Sequence, residues 1–530
     1  MLTDELKQIL HGEVSNSEAD LKKYSRDASI FEITPQVIVF PQDTADLQRL
    51  VSFVGENKLA RPELSLTMRS GGTDMTGGSI NDSIIIDTTA HLNHILEIGS
   101  NFALAEPGVY YRDFETAVAE QNLLMPAYPA SRGICALGGM VGNNAGGEKS
   151  LSYGQVINYV EGLEVVLADG QAYTFAPMNA AELHQMMKLQ NFVGEIYRKV
   201  YDLVTQNEIM LQQAKPTTSK NSSGYFLWDV WDGNTFDLTK LFTGSQGTLG
   251  LITKIKFRLV RPKITSQLLV IDLPEITQLG HIVNSLKAHQ PETLEIFDDH
   301  TMRLAMQYMP EIMPGLWAPL TQAVPRAVLL AEFSGVDAAE AEQHLIAAQK
   351  EVTEKFKVKS YCTKDASEAQ QYWKIRRESY NLLREHMKSK VAAPFIEDIV
   401  VHPDQLPEFL PALDKIFQKY PEFTYSIAGH AGDANFHIFP LLDLSHEQGR
   451  EIVTSLSNEV YDLLITYNGS MSAEHNDGLV RGPFLPKMFG PEVCALFQQT
   501  KNIFDPLGIF NPHKKITADM TFFNEHLRHS

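Results

Sequence analysis

Two short segments hold most of the side chains that could do chemistry. Ser426 to Pro440 reads Ser-Ile-Ala-Gly-His-Ala-Gly-Asp-Ala-Asn-Phe-His-Ile-Phe-Pro, which puts six residues between His430 and His437. Further on, Met471-Ser472-Ala473-Glu474-His475-Asn476-Asp477-Gly478 adds a Glu-His pair. Imidazole and carboxylate are the natural ligands of a divalent ion such as zinc. A closed structural site wants four protein ligands, whereas three leave a position for substrate. A single histidine is more often a satisfied core or surface residue, and residue types alone leave both readings open. Arg376, in Trp373-Lys374-Ile375-Arg376-Arg377, has the planar fork that suits a carboxylate. On a helix it could equally belong to a solvated face.

A second kind of chemistry lies near the start. Arg69-Ser70-Gly71-Gly72-Thr73-Asp74-Met75-Thr76-Gly77-Gly78 sits between two β-prone runs, Leu64 to Met68 and Ile84 to Asp87. Glycines at this density let backbone N–H groups turn toward one anion, such as a pyrophosphate. The loop is not a phosphate-binding loop of the Gly-Lys-Ser/Thr kind. Nor does it open a helix as the dinucleotide fingerprint would. A second small-residue stretch follows, with Pro129-Ala130-Ser131 and then Leu137-Gly138-Gly139-Met140-Val141-Gly142-Asn143-Asn144-Ala145-Gly146-Gly147. It would let a flat ring approach the backbone closely. A third, Gly244-Ser245-Gln246-Gly247-Thr248-Leu249-Gly250, runs into a strand from Leu251 that includes Ile252.

The elements that must position these groups follow from periodicity. Val37 to Phe40 reads as a buried strand, and a helix from Pro41 to about Glu56 carries Leu47, Leu50, Val51 and Val54 on one face. Residues 95–98 and 102–106 pair as a hairpin, and a strand over 160–167 ends in an Asp169-Gly170 turn. After Pro262 strands and helices alternate, which predicts a separate antiparallel sheet with helices on one face. The division expected is a helical segment at 1–34, a cofactor domain at 35–262, a cap or substrate domain at 263–503, and a return to the cofactor domain at 504–530. The fold class is α+β.

Composition narrows the function. At 530 residues the chain exceeds one simple core. A net charge of −20 argues against nonspecific nucleic-acid binding. Cys135, Cys362 and Cys494 form no C-x-x-C, so no iron–sulfur cluster or cysteine zinc site is encoded in this stretch. Neither a signal peptide nor a spanning helix is legible, and the expected location is the cytoplasm, free or resting on the inner face of the membrane.

Taken together, the three glycine-rich stretches resemble the FAD-binding domain of the vanillyl-alcohol-oxidase superfamily, the PCMH type, over about residues 35–262. The resemblance implies an FAD held by Arg69, Ser70, Gly71, Gly72, Thr73, Asp74, Thr76 and Gly77. Pro129, Ser131, Gly138, Gly139, Gly142, Asn144 and Ala145 would border it, with Gly250, Ile252 and Asn511. The two histidine segments look like those of FAD-dependent D-2-hydroxyacid dehydrogenases, including D-lactate and D-2-hydroxyglutarate dehydrogenases. His430, His437 and Glu474 would then be metal ligands and His475 the base. Arg376 and Asn435 would bind substrate. The implied reaction takes a D-2-hydroxy acid to the 2-oxo acid with hydride going to flavin N5. An external acceptor would then take the electrons: a quinone, an electron-transfer flavoprotein, a cytochrome or a separate iron–sulfur subunit. Ala434, Asn476 and His513 stand where that family usually has glycine. Two other readings stay open: a redox-neutral flavoenzyme resembling alkylglycerone-phosphate synthase, and a non-catalytic FAD-binding subunit.

Several members of the superfamily attach FAD through a histidine where this chain has Thr73, so FAD is expected to be non-covalent. Acid precipitation of the yellow protein should leave the flavin in the supernatant; flavin remaining with the pellet overturns the expectation.

Overall fold

The computed structural model describes residues 2–263, 265–310, 324–335, 337–386, 391–420 and 424–529. The first sheet begins where the sequence places it. Val37–Phe40 lies parallel to Ile84–Asp87, which lies parallel to Leu66–Arg69. The short strand Glu13–Ser15 adds an antiparallel edge, so the N-terminal segment is not purely helical. Asp43 caps the helix Thr44–Asn57 by accepting from the Asp46 N–H, and the predicted apolar face is buried on the sheet. A second, five-stranded antiparallel sheet runs Ile95–Ile98, Phe102–Ala105, Leu251–Arg258, Val160–Val166, Ala172–Phe175. The glycine loop leaves the first sheet at Arg69, and Gly250 enters the second, so the two loops meet between the sheets.

The second half is built on an eight-stranded sheet whose centre pairs Thr265–Leu273, Ala327–Gly335, Thr293–Asp298, Thr424–His430 and Asn435–Leu442, all antiparallel. Helices cover both of its faces, not one. Leu268, Val270, Val328 and Leu330 pack with Tyr372, Trp373 and Ile375 of the helix Ala366–His386. Their neighbours Leu269, Ile271, Leu329 and Ala331 belong to the cluster that holds Leu279, Ile282, Leu345 and Ala348. Alternation in a strand sends successive side chains to opposite faces, so runs such as Leu268-Leu269-Val270-Ile271 demand cover on both.

Chain beyond the cap comes back to the first half. Helix Leu485–Phe504 packs on Phe192–Gln206, and Phe510 bridges Leu66 in parallel. Asn511 reaches between loops, donating to the Gly78 and Gln246 carbonyls at 2.8 and 2.7 Å. None of the described helices is long and apolar enough to cross a membrane.

The two halves are locked by charge as well as by packing. Arg377 donates to both oxygens of Glu148, Nε to Oε2 at 2.8 Å and Nη2 to Oε1 at 2.7 Å, and the Tyr128 hydroxyl adds a third bond. Next to it Lys149 pairs with Glu292 of the cap at 3.0 Å. Burial opposes the Glu148 carboxylate, but Arg377 outweighs it and holds its pKa down at about 2. A carboxylate depressed on folding stabilises the protein above its unfolded pKa, and that stability is lost as pH falls toward the folded value. Glu148→Gln should therefore cost up to about 3 kcal/mol near neutral pH. In urea unfolding across a pH series, the gap to wild type should narrow below about pH 4.5. A gap that does not change with pH would mean that the pair contributes through packing alone.

Candidate active site

The ligand-type residues come together at one edge of the cap sheet. His430 ends the strand Thr424–His430, and a tight connection over Ala431–Asp433 returns the chain at Asn435. His430 lies directly across from Asn435, and His437 is two residues further, so all three share a face. Ala434 closes the turn at φ 55°, a left-handed geometry that costs an L-residue about 1–2 kcal/mol. Asn476 and His513 also have positive φ, 73° and 62°. Asparagine tolerates this geometry better than alanine does.

Glu474 and His475 arrive on an irregular segment that a single carboxylate organises. Asp398 accepts from the Glu474 and His475 N–H groups at 2.9 and 2.7 Å, the Ser472 hydroxyl at 2.7 Å and Asn435 Nδ2 at 3.1 Å. The result is a convergence on one atom. Glu474 Oε1 lies 2.8 Å from His430 Nε2, 3.5 Å from His437 Nε2 and 3.8 Å from His475 Nε2. Behind the rings stand further carboxylates. His430 Nδ1 meets Glu295 at 2.7 Å, and Glu295 is paired in turn with Arg376 Nε and Nη2, both at 2.9 Å. His475 Nδ1 meets Glu397 Oε2 at 2.5 Å, and Arg481 holds the other oxygen of Glu397 at 2.5 Å. A carboxylate on the far nitrogen fixes the tautomer and turns Nε2 toward the centre, as metal-binding histidines require. Glu474 Oε2 accepts from Lys220 at 2.7 Å.

Electrostatics follows the same pattern. Burial opposes the charge on Glu474 and Glu397, yet their cationic neighbours hold both well below the usual carboxylate range. For Glu474 these are His430 and Lys220, and for Glu397 they are His475 and Arg481. Burial also works against a charged His475, but Glu397 and Asp398 outweigh it and push its pKa up to about 9. A divalent ion in the same pocket would oppose that rise and favour the neutral ring. Counting neutral histidines, five buried carboxylates (Glu295, Glu397, Asp398, Asp433, Glu474) face three buried cations (Lys220, Arg376, Arg481). The two negative charges left over can be balanced by protons on His430 and His475, whose pKa values both rise beside their carboxylates, or by a divalent ion that keeps the rings neutral. Donor types, convergence and charge all fit such an ion.

Next to this centre, the glycine-rich loops form a cleft. Arg69, Ser70, Gly72, Thr73 and Asp74 make one wall; Gly138, Gly139 and Gly142 make another; Gly250 and Ile252 close it. Gln246, Gly247 and Asn143 line it too, and were legible only as members of the quoted glycine stretches. Arg69 Nη1 is buried without a partner, and a Cβ on Gly139 would come within 2.8 Å of Ser70 Oγ. An unsatisfied guanidinium and a wall that only glycine permits suit a bound dinucleotide phosphate and ring.

Several predicted cofactor residues carry structural duties as well. Thr76 donates its hydroxyl and its N–H to Asp74 Oδ2, at 2.8 and 3.0 Å, so it is not a free donor for a pyrophosphate. Gly77 packs on Phe31, and Gly71 lies so close to the Ile134 carbonyl that a Cβ would sit 2.6 Å from it. Asn144 caps a helix at φ 55° and holds the Asn221 carbonyl, and Ala145 is buried. Pro129 and Ser131 accept N–H groups of the 132–135 turn, and Asn511 ties the loops together as described. The Leu137–Asn143 part of the small-residue stretch is a short helix. Glu295, Glu397, Asp398, Lys220 and Arg481 were not singled out from the sequence. They are charged residues scattered over more than 250 positions, and only their burial gives them away.

Fold and site together define a flavoprotein with a histidine-carboxylate centre in its cap. The sequence matches the FAD binding domain family over residues 35–176 and the FAD linked oxidases, C-terminal domain, over residues 265–515. The chain thus carries a PCMH-type FAD-binding domain followed by a domain of the FAD-linked oxidase C-terminal type. It is 27% identical to the D-2-hydroxyglutarate dehydrogenase of Pseudomonas putida, over 96% of this chain and 50% of that protein. The chain therefore spans about half the length of the first curated relatives it matches. A protein of the same name from Stutzerimonas stutzeri is 27% identical over 98% of this chain and 99% of its own length. Among solved structures, 4-ethylphenol oxidase from Gulosibacter chungangensis superposes with a TM-score of 0.70 at 14% identity, covering 98% of this chain and 97% of that one. That likeness concerns the fold.

Asp74 offers a direct test of the cleft. Its carboxylate also accepts from Gly78 N and Asn143 Nδ2, at 2.7 and 2.8 Å, so it sets the shape of the loop that Arg69 opens. Asp74→Ala removes four hydrogen bonds and should cost about 3 kcal/mol. The purified variant should show a lower ratio of flavin to protein absorbance than wild type, and an unchanged ratio would mean that the cleft does not depend on this hub.

Proposed function

We propose that this protein oxidises a D-2-hydroxy acid of the D-lactate or D-2-hydroxyglutarate type to the 2-oxo acid. FAD is bound non-covalently in the glycine-lined cleft, and a divalent ion, zinc by the donor set, is held by His430, His437 and Glu474. The observation that carries this reading is the convergence of three imidazole Nε2 atoms on one oxygen of Glu474. The names of the relatives point the same way. When bound, the flavin supplies the hydride acceptor and the ion a Lewis acid for the substrate oxygens.

The protein's own residues have the remaining tasks. His475 takes the hydroxyl proton at Nε2, while Glu397 keeps Nδ1 protonated and the ring in place. Arg376 receives the substrate carboxylate on the guanidinium edge that Glu295 does not use. Asn435 contributes Oδ1, which is buried without a partner while its Nδ2 is tied to Asp398 and the Ile399 carbonyl. The electrons leave to an acceptor outside this chain: a quinone, an electron-transfer flavoprotein, a cytochrome or a separate iron–sulfur subunit. The protein works in the cytoplasm, free or at the inner face of the membrane.

Under anaerobic conditions, one D-2-hydroxy acid in a panel of D- and L-acids should bleach the flavin band near 450 nm. Bleaching by none, with FAD and metal both present, would favour a redox-neutral flavoenzyme. His475→Ala should keep FAD and slow bleaching by about 10²–10⁴-fold, the usual worth of a general base. Wild-type rates in that variant would exclude His475 as the base. EDTA treatment should abolish bleaching, and zinc or manganese should restore it; full activity in protein shown to be metal-free would remove the ion from the scheme.

A further inference from the structure

The Lys220 side chain has no solvent exposure. It lies in Thr217-Thr218-Ser219-Lys220-Asn221-Ser222-Ser223-Gly224, a segment outside any helix or strand. Hydrogen bonds lash this segment to the ligand-bearing loop. Ser222 N–H donates to the Ser472 carbonyl at 2.9 Å, Gly224 N–H to Asp477 at 2.9 Å, and the Ser222 hydroxyl to the Ala473 carbonyl at 3.0 Å. Ser470 donates back to Asn221 Oδ1 at 2.7 Å. The backbone that follows Lys220 is therefore fixed, and its ammonium is delivered to Glu474 Oε2 at 2.7 Å, with Asp433 Oδ2 3.9 Å away. From the flavin half, Gly146 closes on the same oxygen: a Cβ there would lie 2.6 Å from Oε2. The Glu474 carboxylate has no room to turn.

We propose that Lys220 is a positioning residue that confines Glu474 to one-oxygen ligation and holds down the charge of the metal pocket. The inference rests on the metal reading given above. Oε2 is occupied by an ammonium, so only Oε1 faces the histidines. A divalent ion bound by His430, His437 and Oε1 would keep a fourth coordination position for a 2-hydroxy acid oxygen, and a fifth for its second oxygen on expansion. Had Oε2 been free, the carboxylate could chelate through both oxygens and take one of those positions. The added positive charge also weakens the grip on the ion, since it reduces the negative excess of the cluster from three to two. Lys220 thus trades metal affinity for an open, more electrophilic site. This predicts a sign that a purely structural role does not: removing Lys220 should make the metal harder to extract.

The test uses FAD-loaded holoprotein charged with zinc. Wild type, Lys220→Met and Lys220→Arg are titrated with EDTA, desalted, and assayed for remaining zinc by elemental analysis, with flavin absorbance confirming intact protein. The Met variant should need about tenfold more EDTA for half-removal, the scale of changes beside a metal ligand. Lys220→Arg, which keeps the charge, should stay within about twofold of wild type. Zinc lost from Lys220→Met as easily as from wild type, or more easily, overturns the proposal. Should that variant fail to accumulate as a flavoprotein, Lys220→Gln replaces it and is read by the same criterion. Wild type that takes up no zinc overturns the metal reading itself, and this proposal with it.

Discussion

Everything in the cap converges on keeping Glu474 ionised in a place with almost no water. An isolated buried carboxylate would cost several kcal/mol and would take up a proton instead. Here the charge survives because neighbours on every side answer it: Lys220 on one oxygen, three ring nitrogens around the other, and Asp398 fixing the backbone from below. The carboxylates behind two of the rings, and Asp398, are in turn held by a second group. Arg376 backs Glu295, Arg481 backs Glu397, and Asn435 backs Asp398. Such a network is stiff because no member can move without stranding another charge. Stiffness is what a centre needs if it must present substrate oxygens to a hydride acceptor in a fixed direction.

The same constraint explains how the two halves meet. Glu474 lies on cap-side chain, but its outer oxygen rests against Gly146 of the flavin half and on a lysine from the segment between. The Arg377–Glu148 pair lies only two residues beyond Gly146. Gly432, in the connection between the two ligand strands, is packed on Leu151. Gly146 and Gly147 therefore let two neighbours close in, the Glu474 carboxylate on the first and the Tyr128 carbonyl on the second.

The sequence disclosed the architecture well and the site unevenly. Glycine-rich stretches and alternating hydrophobics are local signals, so the loops at 69–78 and 244–250, the hairpin at 95–105 and the helix after Asp43 could all be read. The cap helices were assigned to one face because strand patterns fully buried on both faces carry no alternation to say otherwise. Close histidine spacing revealed His430 and His437, and the Glu-His pair revealed Glu474 and His475. Their supports were not legible, because a buried lysine at 220 and an arginine at 481 look like any surface charge until the fold removes the water. Ala434 shows the opposite case. Alanine there stands where the resembling family usually has glycine, and its φ of 55° shows strain that the paired strands on either side hold in place.

The return of the chain after the cap has a consequence for biogenesis. Leu66 hydrogen-bonds in both directions to Ile509 and Asn511, and Asn511 ties the first glycine loop to the third. A ribosome therefore makes the two cofactor loops hundreds of residues before it makes the strap that joins them. Until that strap emerges, the early sheet has an unpaired edge and an open apolar floor. A cleft that needs this strap is complete only once residue 511 has been made, so the order of synthesis places its closure well after both loops exist.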